Sequence, residues 1–144
     1  MDIRKSGILR IGYYERSMPF CYRNLSGELV GYDVNMMYLL ANDMNVRIEF
    51  VPYSITSLMT DLEKMRFDIA IGGVTVTPQR LTLANASDPY EISPFAVLAR
   101  STLALTLSDR ESIIRDTTLR IGEFYNPIIK DFLNSSNKCN FFIY

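Results

Sequence analysis

The sequence predicts an α/β protein built on a parallel sheet. Three short apolar segments, at 8–13, 46–51 and 68–71, read as strands. Two segments between them, at 34–44 and 54–66, carry apolar residues at helical spacing. Strand, helix, strand, helix, strand implies parallel strands joined by crossover helices.

The first strand is ILRIGY, bounded by Gly7 and Gly12. Asn24 to Gly27 is turn-like, and 28–30 is a short extended piece after it. Asp33 reads as a helix N-cap, with Val34, Met37, Tyr38, Leu40, Ala41 and Met44 on the apolar stripe that follows. Residues 46–51 alternate as V-R-I-E-F-V. Ile55, Leu58, Met59, Leu62 and Met65 repeat the helical period, and 68–71 ends at Gly72-Gly73. The second part is less regular: strand-like runs at 93–99, 119–124 and 140–144, and helix candidates at 109–116 and 126–133. A bare apolar strand at the end normally lies inside a sheet under a covering element, so the C-terminal half reads as unfinished.

Composition narrows the chemistry. The 144 residues carry 15 Lys+Arg against 16 Asp+Glu, a net charge of −1. That balance removes the electrostatic case for a nucleic acid or an anionic membrane as main partner. With no His in the chain, Ser-His triads, His proton transfer and most zinc sites are excluded. The two cysteines, Cys21 and Cys139, are expected to be free thiols rather than a disulfide. No apolar run is long enough to span a bilayer, and residues 1–5 do not begin a signal peptide. The chain therefore reads as cytoplasmic, or as an exported domain separated from its precursor.

Ligands of open α/β sheets bind outside the carboxyl ends of the strands. Here that means the loops after Tyr13, Val51 and Ile71. The third is the most informative: Gly72, Gly73, Val74, Thr75, Val76, Thr77, Pro78, Gln79, Arg80. Two glycines let a ligand approach backbone. Thr77 followed by Pro78 is a helix start, N-cap then first helical position, which puts Arg80 in the first turn. A cation there opposes the helix dipole, but it suits a carboxylate or phosphate ligand. The alternative is a solvated Arg80 paired with an acid such as Asp88. No Walker pattern or GxGxxG is present, which argues against a nucleotide phosphate. The first loop adds Ser17 and Phe20, and Tyr53 to Ile55 open the second, where Tyr53 or Ile55 is a pocket wall or a lid on its own helix. Glu15, Glu91 and Glu123 lie near strand ends, but nothing in their spacing pairs them for hydrolysis.

Together, LRIGYYERSMPFCY, GELVGYDVNMMYLLA, FDIAIGGVTVTPQR and NASDPYE resemble the bacterial extracellular solute-binding proteins of the polar amino acid type, the receptors of ABC importers. The likeness runs in order from about Ile8 to Ala99 and more loosely to Tyr144. It implies the type II periplasmic-binding-protein fold: residues 1–97 as a parallel-sheet lobe 1, and 98–144 as the hinge crossing and a partial lobe 2. It implies an amino-acid-like ligand held in an inter-lobe cleft, no catalysis, no cofactor or metal, and ABC-transporter membrane subunits or a fused membrane domain as partner. The location implied is periplasmic or extracellular.

Carried over by position, Arg80 resembles the arginine that grips the ligand carboxylate, and Thr75 the residue whose N–H and hydroxyl meet the same group. Gly72 and Gly73 match positions whose carbonyls take the α-ammonium. Ser17 and Phe20 match the first-loop segment that offers an aromatic, absent here at Ser17. Ile55 matches a pocket-wall position, and Asp33 and Asp88 match structural acids, a helix cap and a turn. In the second lobe, Tyr125, Asn126, Pro127 and Ile128 stand where relatives open with a Gly-Thr-Thr-like turn. Pro127 lacks an N–H and Ile128 a hydroxyl, so two usual carboxylate donors are missing. Two other roles share this fold: a ligand-sensing domain of a sensor kinase or other membrane protein, and a cyclic-acid dehydratase using Glu15 or Glu123.

Overall fold

The computed structural model describes residues 3–92, 98, 100–103, 110–115, 120–123 and 140–143. The chain divides into two compact units, Met1–Ser87 and Asp88–Tyr144.

In the first unit a short helix α1 (Ile3–Ser6) leads into β1 (Ile8–Tyr13). The strand takes the expected residues, and its pattern explains why: Leu9, Ile11 and Tyr13 are buried. β1 is the centre of a parallel sheet ordered β5-β1-β6, between β5 (Arg47–Pro52) and β6 (Ile69–Ile71). Burial of β1 on both flanks suits its near-continuous apolar sequence. The register pairs Tyr13 with both Pro52 and Ile71, so three loops leave one edge of the sheet together.

Between β1 and the first long helix lies an antiparallel sheet of β2 (Arg16–Ser17), β3 (Cys21–Arg23) and β4 (Leu29–Val30). Its first two strands are too short to show a period in sequence. Helix α2 (Tyr32–Met44) follows, and Val34 and Ala41 bury its stripe against Leu9, Ile11, Cys21 and Ile71. Its N-cap is Gly31, not Asp33. Asp33 lies inside the first turn, and its carboxylate is directed elsewhere, as set out below.

Helix α3 (Leu58–Glu63) is shorter than the apolar spacing predicts. Residues 54–57 form a hydroxyl-bonded turn before it. The N–H of Ser57 donates to Ser54 Oγ, and the N–H of Ser54 to Ser57 Oγ, each at 3.1 Å. At the other end Met65 adopts φ +54°, which stops helical propagation. Helix α4 (Pro78–Leu81) closes the unit.

Of the second unit, the structure describes a 3₁₀ turn (Ser101–Leu103), helix α5 (Arg110–Arg115), and a parallel pair of β7 (Arg120–Glu123) with β8 (Asn140–Ile143). Of the expected strand at 93–99 all residues but Leu98 lie outside the described residues, as do the helix at 126–133 and Cys139. No described helix is long and apolar enough to cross a membrane.

Candidate functional site

The loops that leave the sheet edge converge on the glycine pair. Gly72 and Gly73 both have positive φ, +112° and +64°, which glycine adopts without a Cβ penalty. They are also crowded. A Cβ on Gly73 would stand 2.8 Å from Ser17 Oγ and 3.1 Å from the Phe20 ring, and one on Gly72 would meet the Tyr14 carbonyl at 2.9 Å. The structure therefore brings Ser17 and Phe20 against Gly73, and Tyr14 against Gly72. Phe20 is fixed by its backbone: its N–H donates to the Ser17 carbonyl at 2.7 Å, and its carbonyl accepts the Asp33 N–H at 3.0 Å.

The N–H groups of the pair are not available to a ligand. Both donate to one oxygen, Oδ2 of Asp33, at 2.9 Å from Gly72 and 3.1 Å from Gly73. Asp33 is 3% exposed. An acid read from sequence as a cap is in fact the clamp of the glycine loop. The preceding carbonyl, of Ile71, accepts the hydroxyl of Tyr53 at 2.8 Å. Tyr53 stacks on Tyr14, with ring centroids 6.3 Å apart, and packs on Phe67 at 5.6 Å. Burial pushes its phenol above the usual tyrosine range, against the opposing pull of the Arg80 charge. Tyr53 opens the second loop, where the sequence offers a Tyr or Ile as a pocket wall or a lid on its own helix; the bond from its hydroxyl to the Ile71 carbonyl is the feature that no local pattern shows.

The helix start after the glycines folds as read. Thr77 is the N-cap of α4, accepting the Arg80 N–H on Oγ1 at 3.2 Å, with Pro78 in the first turn. The Arg80 guanidinium turns back along the loop, and Nη1 donates to the Thr75 carbonyl at 2.8 Å. Arg80 is half-buried and forms no ion pair with a described residue. The N–H and hydroxyl of Thr75 donate to none of the described residues. Donors on adjacent groups, one of them a cation, can receive a small carboxylate. Ile55 lies in the turn before α3, half-buried, on the loop that follows β5. Glu15 is engaged elsewhere, accepting from Arg23 Nε at 2.8 Å. Among the described residues no cluster of acids or thiols has metal-binding geometry.

Residues 9–136 match the model of the bacterial extracellular solute-binding proteins, family 3. The chain belongs to that family. Among its relatives in sequence are a cyclohexadienyl dehydratase of Pseudomonas aeruginosa, 38% identical over 88 residues, which cover 61% of this chain and 33% of that protein. A probable amino-acid ABC transporter-binding protein of Haemophilus influenzae is 25% identical over 99 residues, 69% of this chain and 38% of that one. This family-3 chain thus spans about a third of the length of the curated relatives it matches.

Solved structures agree on the architecture. An ancestral amino acid-binding protein, a precursor of cyclohexadienyl dehydratase, superposes over 99% of this chain and 63% of its own with a TM-score of 0.87 at 24% identity. Domain 1 of the T. maritima arginine-binding protein, in its arginine-bound form, matches 62% of this chain and 72% of its own, with a TM-score of 0.60 and 30% identity. The family-3 chain has the type II periplasmic-binding-protein fold expected from its sequence, with its three-stranded parallel sheet inside the Met1–Ser87 unit.

Proposed function

We propose that this chain binds a small amino-acid-like solute and serves as the receptor of an ABC importer, in the periplasm or at the extracellular face. Arg80 and Thr75 hold the carboxylate, and the carbonyls of Gly72 and Gly73 receive the ammonium. Ser17, Phe20 and Ile55 form the wall against the side chain. Residues 1–97 act as lobe 1, and 98–144 as the hinge crossing and the beginning of lobe 2. The membrane subunits of the importer are the partner.

The observation that carries this reading is the 2.8 Å bond from Arg80 to the Thr75 carbonyl. It fixes a guanidinium beside the donors of Thr75 while leaving it without an acid among the described residues. A charge-assisted hydrogen bond contributes about 1.5–3 kcal/mol, so a forked grip on one carboxylate anchors any amino acid, and the wall residues sort the side chains. That an isolated domain 1 from a relative was solved with arginine supports ligand binding by such a unit. Calorimetry of the chain against the twenty amino acids, with Arg80→Ala beside wild type, is the test. Binding is expected for wild type and lost by about tenfold or more in the variant; unchanged affinity removes Arg80 from the site.

The Pseudomonas aeruginosa relative favours a second reading, dehydration of a cyclic carboxylic acid. The candidate acid of the first loop, Glu15, is paired with Arg23 in a half-exposed contact. Release of carbon dioxide and water from prephenate or arogenate by this chain would replace the receptor reading with that one.

A further inference from the structure

We propose that Asp33 is the positioning residue that makes the glycine loop selective for an ammonium group. This rests on the amino-acid reading above. A trans peptide sets its C=O opposite to its N–H, and among the described residues only the Met18–Pro19 bond is cis. Because the N–H groups of Gly72 and Gly73 both point at Asp33 Oδ2, the carbonyls of Ile71 and Gly72 point away from it. The Ile71 carbonyl is occupied by the Tyr53 hydroxyl. The Gly72 carbonyl accepts no hydrogen bond from a described residue.

The arrangement has an electrostatic consequence. A carboxylate on the N–H end of a peptide polarises that peptide and strengthens its oxygen as an acceptor. Asp33 is buried, so solvent screens its charge poorly. The Gly72 carbonyl therefore presents a relayed negative charge, suited to a cation that donates hydrogen bonds and unsuited to an anion or an apolar group. With both N–H groups spent on Asp33, the loop cannot act as an anion nest. The carboxylate of a ligand is left to Arg80 and Thr75, and the two ends of an amino acid are told apart by which backbone groups remain. Gly31 helps hold the clamp in place: its φ of +137° turns the chain so that the Asp33 N–H meets the Phe20 carbonyl.

The test uses two ligands and two proteins. The ligands are whichever of the twenty L-amino acids binds most tightly and the same acid with hydrogen in place of its α-ammonium. Affinities for wild type and Asp33→Asn are measured by calorimetry and by competition in NMR. Asparagine keeps the shape and one acceptor oxygen but removes the charge. We expect the wild-type preference for the amino acid over its deamino counterpart to shrink by about tenfold in Asp33→Asn, with the affinity for the deamino acid little changed. An equal loss for both ligands marks Asp33 as merely structural, and an unchanged preference removes it from recognition. The wild-type Gly73 amide proton gives a reading that needs no variant. It moves downfield when the amino acid is added and stays put with the deamino acid; the same response to both ligands overturns the relay. If none of the twenty amino acids binds wild type, the function proposed above fails first, and the role of Asp33 falls with it.

Discussion

Tyr53 and Ile71 are joined across two strand ends by a single hydrogen bond, from phenol to carbonyl at 2.8 Å. The bond ties the loop after β5 to the last residue before the glycine pair. The ring beneath it is packed on Tyr14 and Phe67. Tyr53→Phe keeps both ring contacts and removes the hydroxyl, so we expect a loss of about 1 kcal/mol in urea unfolding. Tyr53→Ala removes the packing as well and is expected to cost about 3 kcal/mol or more. Equal losses would mean that the ring contributes nothing. In an alkaline titration, the absorbance difference between wild type and Tyr53→Phe should stay flat through about pH 10, where exposed tyrosines ionise, because burial raises this phenol.

Two glycines, both at positive φ, ask for losses of very different size from the same substitution. At Gly31 a Cβ would stand 2.2 Å from the Phe20 carbonyl oxygen, a backbone atom held by the Asp33 N–H, at φ +137°. Neither the chain nor the helix start can move away without breaking that bond. Gly27 has φ +83°, but no atom lies within 4 Å of its Cβ position. Gly27→Ala is expected to cost about 1–2 kcal/mol, the penalty of a left-handed residue alone. Gly31→Ala is expected to exceed that by several-fold or to abolish folding. Thermal unfolding by circular dichroism separates them, and similar melting points for the two variants would contradict the crowding at Gly31.

Much of the fold was legible because its causes are local. β1 is a short, largely apolar run that follows Gly7, and Thr77, Pro78 and Arg80 make their helix start within four residues. Asp33 was misread because its partners are 39 and 40 residues away, whereas a cap is judged from its own neighbours. The same limit hid the hydrogen bond of Tyr53, whose acceptor lies 18 residues downstream. β2 and β3 have two and three residues, too few for alternation to register. The stripe at 54–66 promised a longer helix; the Ser54 and Ser57 hydroxyls gave the backbone another partner, and Met65 turned left-handed. The crowding of Gly73 against Ser17 and Phe20 is a property of the folded backbone that no local pattern shows.

Arg10 of β1 and Asp68, just before β6, form a second long-range clamp at the other end of the sheet from the glycine loop. Asp68 accepts from the Arg10 N–H at 2.9 Å, from Nε at 3.2 Å and from Nη2 at 2.7 Å, while its own N–H donates to the Arg10 carbonyl at 2.8 Å. Burial works to raise the Asp68 carboxyl, but the hydrogen bonds and charge of Arg10 outweigh it and hold the group below its ordinary value. Folding thus weakens the hold of Asp68 on its proton. The contribution is present above the unfolded carboxyl value, about 3.9, and is lost as pH falls through the lowered folded value. Asp68→Asn should therefore flatten the acid limb of the stability profile between about pH 5 and pH 2. Urea midpoints measured across that range check this; an unchanged slope in the variant would show that other carboxyls set the acid limit.

The thiol of Cys21 gives the opposite pH dependence. Cys21 is fully buried on β3, a free cysteine packed with Ile11, Val34 and Ile71. Burial first, then the charges of Asp33 and Glu15, push its thiol from 9.0 to about 11, with Arg23 opposing. The thiolate is the reactive form, and here it is both scarce and shielded. Native protein at pH 8 is expected to leave Cys21 unlabelled by iodoacetamide, and denatured protein to label it fully, with peptide mapping to separate it from Cys139. The native state keeps the Cys21 proton over a range in which the unfolded chain gives it up. Its contribution to stability is therefore intact below 9.0 and is lost as pH rises toward about 11. Cys21→Ala removes that alkaline loss while costing about 1 kcal/mol or more for the cavity it leaves. Labelling of Cys21 in the native protein as fast as in the unfolded chain would place the thiol at the surface and overturn the packing of β3 against α2.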